Sequence, residues 1–347
     1  MSDIDIRKTG RAGRITLTRP KALNALSYDM CIAIEKAIDD WRDDPEVAVV
    51  VLDAEGEKAF CAGGDVAQLY QTGKDGDYDF ARQFWSDEYR LNNKLHGCPK
   101  PVISFMQGFT MGGGVGIGCH GSHRVVGETS KIAMPECGIG LVPDVGGTLL
   151  LAQAPGRMGE YLGLTGARMG PADVLHAGFA DYFIPEDQWP ELIAQLEENG
   201  DPFTLDRAAT TPPPSKLAEV QDEVDHLFAP ENLEKIEATF SISESAFAAE
   251  TLKTLRRNSP LSMACTLEML RRLRGPGIGM VPALQQEYRF TARSLEKGDF
   301  IEGVRAAIIE KDRSPNWQHA DWNVPQADVE AMLAPLGDNE LKLEENS

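Results

Sequence analysis

The chain has 347 residues, 42% of them hydrophobic and 25% charged, with a formal net charge of −20 at pH 7. That balance belongs to a globular protein long enough for one large domain or for a core with an appendage. So negative a chain repels a phosphate backbone, which argues against nucleic acid as a partner, and no apolar run approaches the roughly 18 residues needed to cross a membrane.

The N-terminus, Met1-Ser2-Asp3-Ile4-Asp5, shows no basic stretch followed by an apolar one, so no secretory signal is read and a cytoplasmic location is expected. Residues 4–6 and 14–18 are β-rich runs separated by Thr9-Gly10-Arg11-Ala12-Gly13, which predicts a hairpin. Ser27 stands where it can cap a helix running to Trp41, because Ile32, Ile34, Ile38 and Trp41 recur near helical spacing. Strands are predicted over 47–52, 101–106 and 124–126, and helices over 157–165, 171–178 and 187–199. Strand-rich and helix-rich units alternate, which is the pattern of an α/β core.

Thr210-Thr211-Pro212-Pro213-Pro214 is a stiff, unpaired segment and marks a boundary. It divides a core, 1–208, from a mainly helical region, 209–347, in which 261–274 is one predicted helix. The acidic end, Glu344-Glu345-Asn346-Ser347, is expected to fray. Six scattered cysteines without CxxC spacing read as buried small hydrophobes and not as disulfides or zinc ligands.

Three segments carry chemistry. The first, Lys58-Ala59-Phe60-Cys61-Ala62-Gly63-Gly64-Asp65, follows a strand, and its adjacent glycines leave N–H groups unobstructed for an acyl oxygen. A tight turn with Asp65 capping the next helix explains it equally well. The second, Gly108-Phe109-Thr110-Met111-Gly112-Gly113-Gly114-Val115-Gly116-Ile117-Gly118, opens a helix whose unpaired N–H groups suit a developing oxyanion; close helix packing is the alternative. Gly116–Gly121 also fits GxGxxG, but inside the expected helix and not at a strand-to-helix turn, so no dinucleotide site is read there.

The third segment runs from Met134-Pro135-Glu136 to Pro143-Asp144-Val145-Gly146-Gly147 and sets two carboxylates eight residues apart among apolar and glycine residues. Burial there would raise a carboxyl pKa and fit it for proton transfer. Asp144 could instead cap the helix beginning near Gly146. The histidines show no ligand spacing, His120 and His123 read as structural, and no GxSxG elbow is present, so neither a metal nor a serine nucleophile is expected.

In this order and spacing the segments resemble the crotonase (enoyl-CoA hydratase/isomerase) superfamily, with Pro20-Lys21-Ala22-Leu23-Asn24-Ala25-Leu26 matching its N-terminal motif. The resemblance implies an α/β fold of repeated ββα units forming a spiral core. It implies an oxyanion hole from the amides of Gly64 and Gly113, and a loop of Ala62, Gly63, Gly64 and Asp65 against the adenine of a bent coenzyme A. Hydratases of that superfamily use two glutamates, whose positions here hold Gly116 and Glu136. Losing one acid/base group typically costs about 10²- to 10⁴-fold, so hydration is not the expected reaction.

The Glu136/Asp144 pair, the run Asp87-Glu88-Tyr89-Arg90-Leu91-Asn92 and the phrase Asp299-Phe300-Ile301-Glu302-Gly303-Val304-Arg305-Ala306 look like the branch that hydrolyses 3-hydroxyisobutyryl-CoA in valine breakdown. That branch implies substrate contacts at Glu88, Gly113, Glu136 and Asp144, although Glu88 could be a surface helix charge. Glu136 would add to the thioester or activate water, and Asp144 would orient the substrate hydroxyl, the water or Glu136. No cofactor is implied beyond the coenzyme A of the substrate. Crotonase-like cores commonly assemble as trimers or hexamers, so a homo-oligomer is expected. The alternatives are a hydratase or isomerase of fatty or branched acyl-CoAs, and a non-catalytic acyl-CoA binder.

Overall fold

A computed structural model describes residues 3–275 and 278–344. The hairpin of β1 (Ile4–Thr9) and β2 (Ala12–Leu17) leads into helix α1 (Tyr28–Arg42). Ser27 starts α1 by accepting a hydrogen bond from the Met30 amide, and Met30, Ile34, Ala37, Ile38 and Trp41 form its buried stripe. Three ββα units follow. They are β3 (Val49–Ala54), β4 (Ala59–Cys61), α2 (Val66–Lys74) and α3 (Tyr78–His96); β5 (Val102–Met106), β6 (Phe109–Met111) and α4 (Gly113–Gly118); and β7 (His123–Val126), β8 (Lys131–Ala133) and α5 (Gly147–Gln153). Helices α6 (Met158–Thr165) and α7 (Pro171–His176), strand β9 (Tyr182–Phe183), and helices α8 (Trp189–Asn199) and α9 (Phe203–Ala208) complete this half.

The first strand of each unit joins a six-stranded sheet of order β1-β2-β3-β5-β7-β9, and the second joins a three-stranded sheet, β4-β6-β8. Apart from the β1–β2 hairpin every ladder between these strands is parallel. Each unit therefore repeats the same step from the large sheet to the small one, and the chain winds as a spiral. Successive side chains of a strand face opposite ways. Val50, Leu52, Val102 and Met106 thus enter the main core, while Val49, Val51, Ile103 and Phe105 pack in a smaller one closed by Trp189, Leu192 and Leu196 of α8.

Beyond the last strand the chain is helical: α10 (Lys216–Glu219), α11 (Gln221–Leu227), α12 (Leu233–Ser241), α13 (Ala246–Leu255), α14 (Pro260–Arg272), α15 (Met280–Lys297), α16 (Phe300–Val304) and α17 (Gln326–Leu333), with a π-helical turn at Arg305–Ile309. These helices share the main core with the first half, where Leu270, Leu284, Phe290 and Phe300 belong to the same buried cluster as Leu52, Val115 and Leu151. Helix α15 lies along α3. The expected fraying of the acidic end does not hold up to Glu344, because Leu341 is buried and Asn93 Nδ2 donates to the Glu344 carbonyl. Residues 345–347 lie outside the described residues. All six cysteines are free; Cys31, Cys61, Cys119, Cys137 and Cys265 are buried and Cys98 is half-buried.

Candidate active site

The segment around Asn24 fixes the first glycine loop. Asn24, fully buried and with φ of +53°, donates from Nδ2 to the Glu55 and Ala59 carbonyls and accepts from the Arg19 amide. It ties the loop before α1 to the β3–β4 connection. Two residues on, Leu26 forms a parallel bridge with Gly64, its amide donating to the Gly63 carbonyl and its carbonyl accepting from the Asp65 amide. Because alternate residues of an extended segment point opposite ways, those bonds leave the Gly64 N–H facing away from Leu26. Gly63 takes φ of +116°, a conformation that an L side chain rarely adopts.

The second loop meets the first at the start of α4. Gly112, with φ of +47° and ψ of −119°, turns the chain out of β6 so that Gly113 becomes the first helical residue, whose amide has no partner inside the helix. A Cβ added to Gly113 would stand 3.3 Å from the Gly64 nitrogen and 2.8 Å from Glu88 Oε1. The two glycine loops therefore meet at one spot with Glu88 beside it, and a pair of amides so placed can donate to a developing oxyanion.

That spot opens into a cavity of about 230 Å³ lined by Ala62, Gly63, Gly64, Met111, Gly113, Glu88, Glu136 and Asp144, with Leu69, Phe84, Trp85 and Phe300 as its apolar wall. Ile308, on the π-helical turn, lies at its edge and is 36% exposed. Phe300 and Ile308 come from the C-terminal half, which therefore forms part of the pocket. The three carboxyl groups are 3% to 5% exposed, so the surface-charge reading of Glu88 fails. Glu88 Oε1 and Glu136 Oε2 have no hydrogen-bond partner among the described residues, whereas Asp144 Oδ2 accepts from the Tyr89 hydroxyl at 2.7 Å.

Burial pushes the Glu88 and Glu136 carboxyls well above the ordinary range, and the neighbouring charge of Asp144 adds to the effect. Asp144 is also raised by burial, is drawn back by the Tyr89 hydroxyl, and reaches about 7. Three buried carboxyls lining one cavity resist being ionised together, so a proton is readily given or taken there near neutral pH.

Asp144 does not cap α5. Its carbonyl accepts from the Gly147 amide across a turn whose two central residues, Val145 and Gly146, have φ of +53° and +80°. This is the type I′ pattern, in which glycine, asparagine or aspartate is usual and a β-branched valine is out of place by on the order of 1–3 kcal/mol. The capping task falls to Glu287 of α15, which accepts from the Gly146 amide (2.8 Å), the Thr148 amide (3.0 Å) and the Thr148 hydroxyl. On the other side the ring nitrogen Nε2 of His120 lies 2.7 Å from the Val145 carbonyl. Burial lowers His120 to about 3, so the neutral ring donates there.

At Gly116 a Cβ would stand 2.7 Å from Asn92 Nδ2 and 2.9 Å from Val145 Cβ. Ala62, Gly63, Gly64, Gly113, Glu88, Glu136 and Asp144 are thus brought together, while Asp65 lies just outside the lining. Asp65 stands at the start of α2 without capping it and pairs weakly with Arg19, at 3.4 Å. Tyr89, Asn92, His120 and Glu287 were not singled out as site residues from the sequence. Tyr89 and Asn92 do lie in the run Asp87–Asn92 that carries part of the resemblance, whereas nothing in the sequence marks Glu287. Among the described residues no group of three or more His, Cys, Asp or Glu side chains is placed to hold a metal ion.

Residues 12–333 match the model of the enoyl-CoA hydratase/isomerase family. A Gallus gallus protein named 3-hydroxyisobutyryl-CoA hydrolase, mitochondrial, is 39% identical over 99% of this chain and 91% of its own length, and the Homo sapiens protein of that name is 36% identical over 98% and 90%. Among solved structures, an enoyl-CoA hydratase from Rhodobacter sphaeroides superposes with a TM-score of 0.94 at 56% identity, covering 98% of this chain and 100% of its own. A carnitinyl-CoA dehydratase from Mycobacterium thermoresistibile gives 0.93 at 40% identity, covering 99% of each. With the same spiral of ββα units, the paired glycine loops and a sequence match across nearly its whole length, this chain belongs to the enoyl-CoA hydratase/isomerase family.

Proposed function

We propose that this protein hydrolyses an acyl-CoA thioester, 3-hydroxyisobutyryl-CoA, to 3-hydroxyisobutyrate and CoA, as in valine breakdown. The observation that carries the reading is at Gly116. Family hydratases place one of their two glutamates there, and here the space for even a Cβ is taken by Asn92 and Val145. The names of the two solved relatives point to hydration or dehydration, but addition or loss of water across a double bond would have one of its two acids missing. Glu136, Asp144 and Glu88 around the paired amides support acyl transfer to water instead.

In this reaction the thioester oxygen accepts from the Gly64 and Gly113 amides, which stabilises the negative charge that forms on it. The deprotonated form of Glu136, which burial makes strongly basic, drives addition at the acyl carbon, either by attack or by taking a proton from water. The C–S bond breaks, CoA leaves as a thiolate that takes up a proton, and oxygen from water ends in the acid. Glu88, whose Oε1 is unpartnered beside Gly113, accepts from the 3-hydroxyl of the substrate. The loop of Ala62 to Asp65 faces the adenine end, and the assembly we propose is a trimer or hexamer.

The test is thiol release from 3-hydroxyisobutyryl-CoA beside loss of enoyl absorbance from crotonyl-CoA. Thiol release with little hydration is expected. Rapid hydration without thiol from any 3-hydroxyacyl-CoA would assign the site to a hydratase, and CoA binding without either reaction would make it a binder.

A further inference from the structure

The turn that presents Asp144 is held in place from outside. Val145 is a β-branched residue with φ of +53°, a backbone state it would leave if free. Two side chains grip its flanks. Glu287 divides its carboxyl between the Gly146 and Thr148 amides, and His120 holds the Val145 carbonyl.

We propose that Glu287 and His120 are positioning residues that keep Asp144 aimed into the cavity, an inference that rests on the reading of Asp144 as part of the hydrolytic site. An Asp at this place, two residues before Gly146 at the N-terminus of α5, would ordinarily bend its side chain onto the amide two residues on. Glu287 occupies that amide, so the carboxyl of Asp144 is left to meet Tyr89 and the substrate. Glu287 is fully buried and among the described residues has no basic partner, which would be a costly choice for packing alone. One turn further along α15, Thr291 Oγ1 lies 3.4 Å from the Tyr89 hydroxyl, so this helix from the C-terminal half braces both Asp144 and its hydrogen-bond donor. Without Glu287, Asp144 falls back onto the Gly146 and Thr148 amides. The substrate still binds, but it meets a misdirected carboxyl.

The experiment uses the full-length chain and thiol release from 3-hydroxyisobutyryl-CoA, with the wild type, Glu287→Gln and Glu287→Asp measured together. Glu287→Gln places an amide NH₂ against a backbone N–H; kcat is expected to fall at least tenfold with KM within about threefold. Glu287→Asp keeps two acceptors and is expected to recover at least threefold in kcat over Glu287→Gln. A merely structural role would lower the melting temperature and leave kcat at 25 °C within twofold, and that result overturns the proposal. A wild type that releases no thiol overturns the hydrolase reading and this inference with it, so the two failures are told apart by the wild-type lane. If Glu287→Gln does not fold, His120→Leu and His120→Gln read the clamp from its other side. Leu is expected to lower kcat at least tenfold at unchanged KM and Gln, which keeps a donor, to restore part of it. Equal kcat for His120→Leu and the wild type refutes the clamp.

Discussion

Replacing Asp144 by asparagine should make the protein more stable at neutral pH while lowering its activity. The carboxyl has an ordinary value of 3.8 and reaches about 7 in the fold. Between those values the native state keeps a proton that the unfolded chain has lost, so native stability falls as pH rises through this window and the full penalty is present above about 7. At about 1.36 kcal/mol per unit the difference amounts to roughly 4 kcal/mol, an upper figure for one buried group. An amide never ionises and escapes this penalty, yet its oxygen still accepts from Tyr89. Urea unfolding of both proteins at pH 5, 6, 7 and 8 measures the effect. The stability gap in favour of Asp144→Asn should widen by roughly 2–3 kcal/mol from pH 5 to pH 8. A gap that stays constant across that range would show that Asp144 titrates like an exposed aspartate, and the picture of a strained acid at this turn would be wrong.

Glu136→Gln keeps the shape of the side chain and removes its basicity, so kcat should fall by about 10²- to 10⁴-fold while CoA-ester binding, followed by calorimetry, is preserved. Gly113→Pro deletes one oxyanion donor and sets ring atoms against Glu88; if folded, it should lose roughly 3–4 kcal/mol in kcat/KM. Gly116→Ala places a methyl 2.7 Å from Asn92 Nδ2 and 2.9 Å from Val145, so a loss of about 1–3 kcal/mol in stability is expected by denaturant melting. A neutral Gly116→Ala would show that the space for a second acid exists after all.

What the sequence made legible was local. The Ser27 cap, the helical spacing of Ile34, Ile38 and Trp41, and the glycine loops each express themselves within a dozen residues, and each appears in the structure where its pattern placed it, whereas Ile32 of the same expected stripe is exposed. The expected strand at 47–52 runs over Val49–Ala54, a shift typical of element ends. Strands β4, β6 and β8 are three residues each, too short for a period-2 pattern to register, yet they form the small sheet that brings Gly64 to Gly113.

The alternative readings of Asp65 and Asp144 as caps both fail, and for Asp144 the reason is tertiary. The amides that Asp144 would have served are taken by a glutamate that lies 141 residues beyond Gly146. Tyr89 likewise reaches Asp144 across 55 residues. Neither contact can be read from local spacing, although Tyr89 itself stands beside Glu88, so the site was readable as a set of backbone loops and acids but not as a braced assembly.

The cysteines decide how cleanly any of this can be measured. A thiol-reactive dye reports thiolate, and burial pushes Cys61, Cys119 and Cys137 up to about 12 and Cys31 and Cys265 well above the ordinary range. Cys98, half-buried and also raised, is the most accessible of the six. The five buried thiols are therefore shielded from such a dye, and a substrate-free blank sets the share of Cys98 apart from released CoA. Unfolding exposes all six thiols at once, so a burst of reactivity in any variant reports lost structure in the same cuvette that reports lost catalysis.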